Sequence, residues 1–192
     1  MPAATAREPA QERGAERRQA LLDAAVRLLA REGARAVTHR AVAREAGTTH
    51  GAPRYYFATR DQLVDAALAQ IAARQVAAAE AALGGSRIRG DATGELARFT
   101  AGLAADPDAG AARYELFLEA ARRSGLRPAL AAWGEAYERI LATEITAGSA
   151  DPRGDARLLL NLLNGLLLRQ LADPEPDFEQ GVLRPAIERF AA

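Results

Sequence analysis

The chain has no cysteine, which excludes disulfides, thiolate zinc sites and cysteine nucleophiles together and fits a cytoplasmic location. Aromatic residues make up only 5% of it, and alanine and leucine dominate an apolar set with few β-branched residues, which favours helix over sheet. No segment alternates at period two. The N-terminal stretch MPAATAREPAQERGAERR lacks the apolar run of a secretory signal, and residues 1–13 read as a flexible arm. Lysine is absent, so all 25 basic residues are arginine. A GC-rich coding sequence accounts for that, although guanidinium also suits bidentate contacts to phosphate and guanine. Net charge is formally zero, but residues 1–60 hold 11 arginines against 6 acids and the remaining 132 hold 14 against 19. A basic head therefore joins an acidic body, and such a head can neutralise phosphates locally.

What is there in quantity is helical periodicity. In RRQALLDAAVRLLAREG, Leu21, Leu22, Ala25, Val26, Leu28 and Leu29 recur at three- and four-residue steps until Gly33 stops the helix. Thr38 is placed to N-cap a short helix, HRAVAREA, that ends at Gly47; Thr49 is placed to cap a second, HGAPRYYF, with Pro53 in its first turn. Thr59 and Gln62 form a capping box for a long helix from Asp61 to about Leu83. Gly and Pro punctuation then marks helices over about 91–105, 108–124, 128–147, 155–172 and 178–190, with Pro185 kinking the last or starting its final turns. The expected fold is all-α with nine helices: a helix-turn-helix domain over 14–60, then an effector-binding and dimerisation domain over 61–192.

Two short helices joined by a tight glycine turn and backed by a longer one form the layout that offers the second short helix to the major groove. Ala43 and Ala46 let the axes cross closely, and Gly47 suits the left-handed turn. The segment 38–60 exposes Thr38, His39, Arg40, Arg44, Thr48, Thr49, His50, Arg54, Tyr55, Tyr56 and Arg60 against a single acid, Glu45. Gly33, Thr38, Val42-Ala43, Ala46-Gly47, Gly51, Tyr56-Phe57, Thr59-Arg60-Asp61 and Leu63 together closely resemble the N-terminal domain of the tetracycline-repressor (TetR) family, in register from about Arg17 to Leu68. RYELFLEAARR and NLLNGLLLRQLAD are similar, more loosely, to that family's ligand-binding domain. The resemblance implies double-stranded operator DNA as partner. It assigns Thr38, Thr49, Tyr55, Tyr56 and Arg60 to phosphates and His50, Gly51 and Arg54 to the groove, with His39, Arg40 and Thr48 on the same surface. Two departures stand out: Pro53-Arg54 where the family has Leu-Tyr, and Thr48-Thr49 where it has Val-Ser. The DNA role transfers across them; individual base contacts do not.

Nine leucines between Leu158 and Leu171 surround their helix on all sides, so that helix must be buried on all sides. Polar interruptions at Asn161, Asn164, Arg169 and Gln170 rule out a bilayer span. One face meets its own core and the other needs a second chain. Leu159, Leu163, Leu166, Leu167, Val182, Leu183 and Ile187 are expected to form a two-fold four-helix homodimer interface, as the family resemblance also implies. A small-molecule effector is expected among Phe99, Leu103, Tyr114, Phe117, Leu118, Trp133, Tyr137, Asn161 and Asn164, each of which alone reads as ordinary core. The helix from Asp61 to Leu83 is the expected lever between effector and DNA.

Catalytic signatures are missing: no G-x-S-x-G, no H-E-x-x-H and no P-loop lysine. His39 and His50, the only histidines, have no acidic cluster beside them, so neither a metal nor a cofactor is expected. Glu115 and Glu119 share a helix face that reads as solvated or salt-bridged. The rival readings are an all-helical enzyme and a protein-interaction module that does not bind DNA.

Overall fold

A computed structural model describes residues 8–191, and among them the chain is helical with no strand. The elements are α1 Glu8–Glu32, a 3₁₀ turn Ala34–Ala36, α2 His39–Glu45, α3 Ala52–Tyr56, α4 Arg60–Leu83, α5 Ser86–Arg89 and α6 Ala92–Ala104. There follow α7 Pro107–Arg122, a 3₁₀ turn Ser124–Leu126, α8 Arg127–Glu144, α9 Pro152–Ala172, a π-helical turn Phe178–Leu183 and α10 Arg184–Glu188. Each of the nine expected helices has its counterpart among the described residues. The addition is α5, one turn held from outside: the Gly85 and Arg87 amides donate to the Glu144 carboxylate of α8 at 2.9 and 3.0 Å, and the Ser86 hydroxyl donates at 3.3 Å. A helix this short depends on such partners for its free amides. Pro185 lies in the first turn of α10, so it starts the final turns.

Two compact units divide the chain, one running to Ile71 and the other from Ala72. The division falls inside α4, whose Leu63, Val64, Ala67, Leu68 and Ile71 are buried along one stripe of the helix. Of the expected arm, residues 1–7 lie outside the described residues; from Glu8 the backbone is already helical. In the first unit, Leu21, Leu22, Ala25, Leu28 and Leu29 of α1 are buried, and α1 packs on the first 3₁₀ turn, α2 and α3.

In the second unit α9 packs against α6, α7 and α8, while α6 also meets the π-helical turn and α10. This packing places most of the leucines expected at the dimer face inside the subunit. Leu159, Leu163, Leu167, Leu183 and Ile187 are at most 4% exposed within a single subunit, so they form its own core. Leu166 and Val182 are half-buried. The leucines left outside are Leu158, Leu162 and Leu168, at 60%, 37% and 52% exposure. A helix apolar all round shows from sequence that two faces are covered, but only packing shows which face meets which layer. No helix among the described residues is long and apolar enough to cross a membrane.

Candidate nucleic-acid interface and effector site

The turn between α2 and α3 is fixed by backbone chemistry. Thr38 N-caps α2 by accepting the Ala41 amide at 3.2 Å. At the other end Gly47 adopts φ 62°, its amide reaches the Arg44 carbonyl at 3.2 Å, and the Thr48 amide reaches Ala43 at 2.9 Å. This pair of bonds is the Schellman closure, which needs a left-handed residue where Gly47 stands. Thr49, in contrast, does not cap α3: the N-cap is Gly51 and no side chain bonds there. A helix beginning after Thr49 would require an amide on Pro53, which has none. The helix therefore starts later, with the Tyr55 amide bonding to Gly51 at 3.3 Å.

The outer face of this motif is bare and basic. Thr38, Arg40, Arg44, Thr48, Thr49, His50, Gly51 and Arg54 are exposed, and Tyr55 is 84% exposed. Tyr56 is half-buried and meets the Tyr55 ring edge-on at 5.0 Å. An open groove of about 880 Å³ runs along this face, lined by Thr48, Thr49, Ala52, Tyr55 and Tyr56 on one side and by Arg13, Gly14, Arg17 and Leu21 of α1 on the other. Two of the expected contact residues also bond backbone carbonyls. His39 is half-buried and donates from Nε2 to the Phe57 carbonyl at 2.8 Å, tying the start of α2 to the end of α3. The Arg60 guanidinium donates to the Ala34 carbonyl and lies 3.6 Å from Asp61, anchoring the start of α4. Phe57 is core, 3% exposed, with the Arg18 guanidinium 5.2 Å over its ring.

The motif is clamped from α1. Glu45 of α2 accepts from Arg27 at 2.8 Å and from Arg31 at 2.9 Å. The Arg31 and then the Arg27 hydrogen bonds hold its carboxyl at a pKa of about 2, against slight desolvation.

In the second unit a chain of rings joins α7 to α8. Tyr114 and Phe117 stand 6.2 Å apart, Phe117 meets Trp133 edge-on at 5.3 Å, and Trp133 meets Tyr137 at 4.7 Å. Gly110 lets α7 approach α9, since a Cβ there would stand 2.7 Å from Leu171 Cδ2. One turn on, the Tyr114 hydroxyl donates to the Asn164 carbonyl at 2.6 Å. Trp133 Nε1 donates to Gln75 Oε1 and the Tyr137 hydroxyl to the Gln75 carbonyl, both at 3.1 Å. Burial raises both tyrosine pKa values, and the nearby charge of Arg113 partly offsets it. Phe99 and Leu103 are half-buried on α6. Leu118 is 50% exposed, and Asn161 is exposed and donates to the Arg157 carbonyl one turn back at 2.9 Å. No group of acids and histidines fit to hold a metal occurs among the described residues.

Residues 21–67 match the family model for bacterial regulatory proteins of the tetR family, and residues 87–192 match the tetracyclin repressor-like C-terminal domain. The chain belongs to the TetR family. It is 27% identical over 166 residues to the HTH-type nicotine-responsive transcriptional repressor HdnoR of Paenarthrobacter nicotinovorans, covering 83% of this chain and 86% of that one. A solved TetR-family member from Streptomyces coelicolor A3 is 34% identical over 92% of this chain and 99% of its own, with a TM-score of 0.78. The multidrug binding protein EbrR complexed with ethidium is likewise 34% identical over 92% and 99%, with a TM-score of 0.76. This TetR-family chain is thus a ligand-responsive, DNA-binding transcriptional regulator.

Sequence reading of the regulator missed three arginines. Arg13 and Arg17 lie one turn apart on α1 and line the groove beside α3; Arg13 falls in the expected arm and Arg17 in the expected first helix, and neither is marked there as facing α3. Arg113 is 4% exposed beside the ring chain, its Cζ 5.8 Å from the centre of the Trp133 ring. Within RYELFLEAARR it looks like one more solvated charge, and nothing in the sequence marks it as buried.

Proposed function

We propose that this TetR-family protein is a cytoplasmic repressor that grips a roughly palindromic operator as a two-fold dimer and releases it when a small molecule enters the second unit. One observation carries the DNA half: the Gly47 turn leaves Arg54 and Tyr55 of α3 exposed, with His50 exposed just before the helix, next to a groove whose far wall supplies Arg13 and Arg17. Guanidinium at Arg54 matches guanine O6 and N7, while Thr48, Thr49, Tyr55 and the α1 arginines suit phosphate oxygens. The dimer half rests on α9, whose exposed Leu158, Asn161, Leu162, Gly165 and Leu168 fall within about 120° of the helix circumference. An apolar strip with a glycine at its centre suits close approach of a twin helix. The release half rests on Gln75 of α4, which Trp133 and Tyr137 both grip. An effector that displaces those rings shifts Gln75, and α4 is the one helix whose length enters both units.

The relatives' names are consistent with this reading, since one is a nicotine-responsive repressor and another is a multidrug binding protein. A catalytic role has little to stand on: His39 is used up in the bond to Phe57, and Glu119 pairs with Arg122 and Arg123.

Selection of random duplexes on the purified protein, followed by fluorescence anisotropy at low and physiological salt, tests the proposal. One palindrome should be enriched, with affinity falling steeply as salt rises, since six to ten phosphate contacts cost roughly 10³–10⁵ in affinity between about 50 and 200 mM. Arg54→Ala should cost about 1–3 kcal/mol on that palindrome and little on random duplex. Failure to enrich any sequence, or binding indifferent to salt, would overturn it.

A further inference from the structure

Arg113 is the outlier of the second unit. Its side chain is 4% exposed, its Nη2 is buried with no hydrogen-bond partner, and it forms no ion pair among the described residues. Acids of the same unit are engaged elsewhere: Glu119 with Arg122 and Arg123, Glu138 with Arg157, Glu144 with the α5 amides. What faces Arg113 is aromatic, the Trp133 ring at 5.8 Å and the hydroxyls of Tyr137 and Tyr114, neither of which carries charge near neutral pH. An arginine is always protonated, so this unit holds a buried positive charge with no counter-charge, an arrangement proteins rarely keep without a use. A second orphan lies on α9: Asn164 Oδ1 is buried without a donor, next to the backbone carbonyl that Tyr114 grips.

We propose that the effector is an aromatic organic anion whose acidic group, a carboxylate in the simplest case, pairs with the Arg113 guanidinium while its ring joins the Phe117–Trp133–Tyr137 stack. The inference rests on the second unit being the effector site, as argued above, and adds the chemical class of the ligand. A carboxylate supplies an acceptor for the unpartnered Nη2 and a counter-charge for the guanidinium, and the rings supply aromatic contact surface. Ethidium, the cation with which EbrR is complexed, would instead meet Arg113 as a like charge. Insertion beside Trp133 and Tyr137 also disturbs the residues that hold Gln75, which gives the anion a route to α4.

The test uses the full-length protein and three probes: 2-naphthoate, its neutral isostere 2-naphthamide, and ethidium. Binding is read by calorimetry and by emission of Trp133, the single tryptophan of the chain. Naphthoate should bind saturably, at least about tenfold tighter than naphthamide and tighter than ethidium, and should weaken binding to the selected duplex. Arg113→Met should erase the preference for acid over amide while leaving amide affinity unchanged, and Arg113→Lys should retain part of it. Arg113→Met should also raise Tm without ligand, because an unpaired buried charge gives way to an apolar chain of similar length. Equal or tighter binding of naphthamide or ethidium would overturn the anion class and leave the effector site standing. No saturable binding of any probe would overturn both. A full acid preference surviving in Arg113→Met would overturn the assignment to Arg113.

Discussion

Around the helix-turn-helix three polar side chains are matched across helices: Glu45 to Arg27 and Arg31, His39 to the Phe57 carbonyl, Arg60 to the Ala34 carbonyl. The second unit keeps Arg113 Nη2, Asn164 Oδ1 and Arg184 Nε buried without partners. A matched set holds one arrangement, as a DNA reader requires, because each displacement strands a charge or an amide. Orphan groups raise the energy of the empty state and leave room for a ligand to lower it, which is what a sensor requires.

The largest expected effect asks whether the second unit has a fixed apolar core despite its orphans. Leu159 is fully buried and Leu162 is 37% exposed on the same helix. Leu159→Glu places an unpaired charge in the core, at a cost of several kcal/mol, and should abolish cooperative melting. Leu162→Glu should keep the helical circular dichroism and change only the mass seen by light scattering, from dimer to monomer. The reverse pattern would return the interface to the face expected from sequence and break the contrast between a packed sensor core and its dimer strip.

Next in size are three changes in the helix-turn-helix. Gly47→Ala forces a Cβ into the left-handed region, where nothing clashes but the backbone conformation itself costs about 1–2 kcal/mol. Urea unfolding should show that loss, and duplex affinity should fall with it because α3 is re-aimed. Thr38→Ala removes a cap bond and should cost about 1 kcal/mol. Thr49→Ala should leave stability within about 0.5 kcal/mol, since Thr49 caps nothing, and should weaken only duplex binding. Equal destabilisation by the two threonine variants would restore Thr49 as a cap.

These same residues show what was legible in the sequence. Thr38, Gly47 and the Thr59–Gln62 pair act within four residues of themselves, so their roles follow from local spacing; Gln62 accepts the Ala58 amide at 3.0 Å and its own amide bonds Thr59 Oγ1 at 3.1 Å. Thr49 has the spacing of a cap but not the role, because a helix starting there needs an amide four residues on that Pro53 lacks. His39 and Arg60 share a polar, basic stretch with true surface residues, and only the folded chain brings Phe57 O and Ala34 O to them. Arg113 and the α9 leucines were out of reach for a stronger reason. Their environment is set by α7, α8 and α9 coming together, and a helix rich in apolar residues on every side carries no mark of which side faces in.

The smallest expected effect concerns pH and the clamp on α2. Glu45 has a folded pKa of about 2 where an ordinary glutamate has 4.5. A group depressed in this way lends stability that is complete above about 4.5 and is lost as pH falls from there toward 2, because the unfolded chain takes up the proton first. Both arginines are roughly half exposed, so solvent and salt weaken the contribution and it should shrink further at high ionic strength. Melting of the wild type and of Glu45→Gln should therefore differ at pH 6 and converge as pH falls from 4.5 toward 2. Convergence already at pH 6, or a gap that persists at the acid end, would mean that the three-residue clamp is not what keeps the helix-turn-helix in a single arrangement.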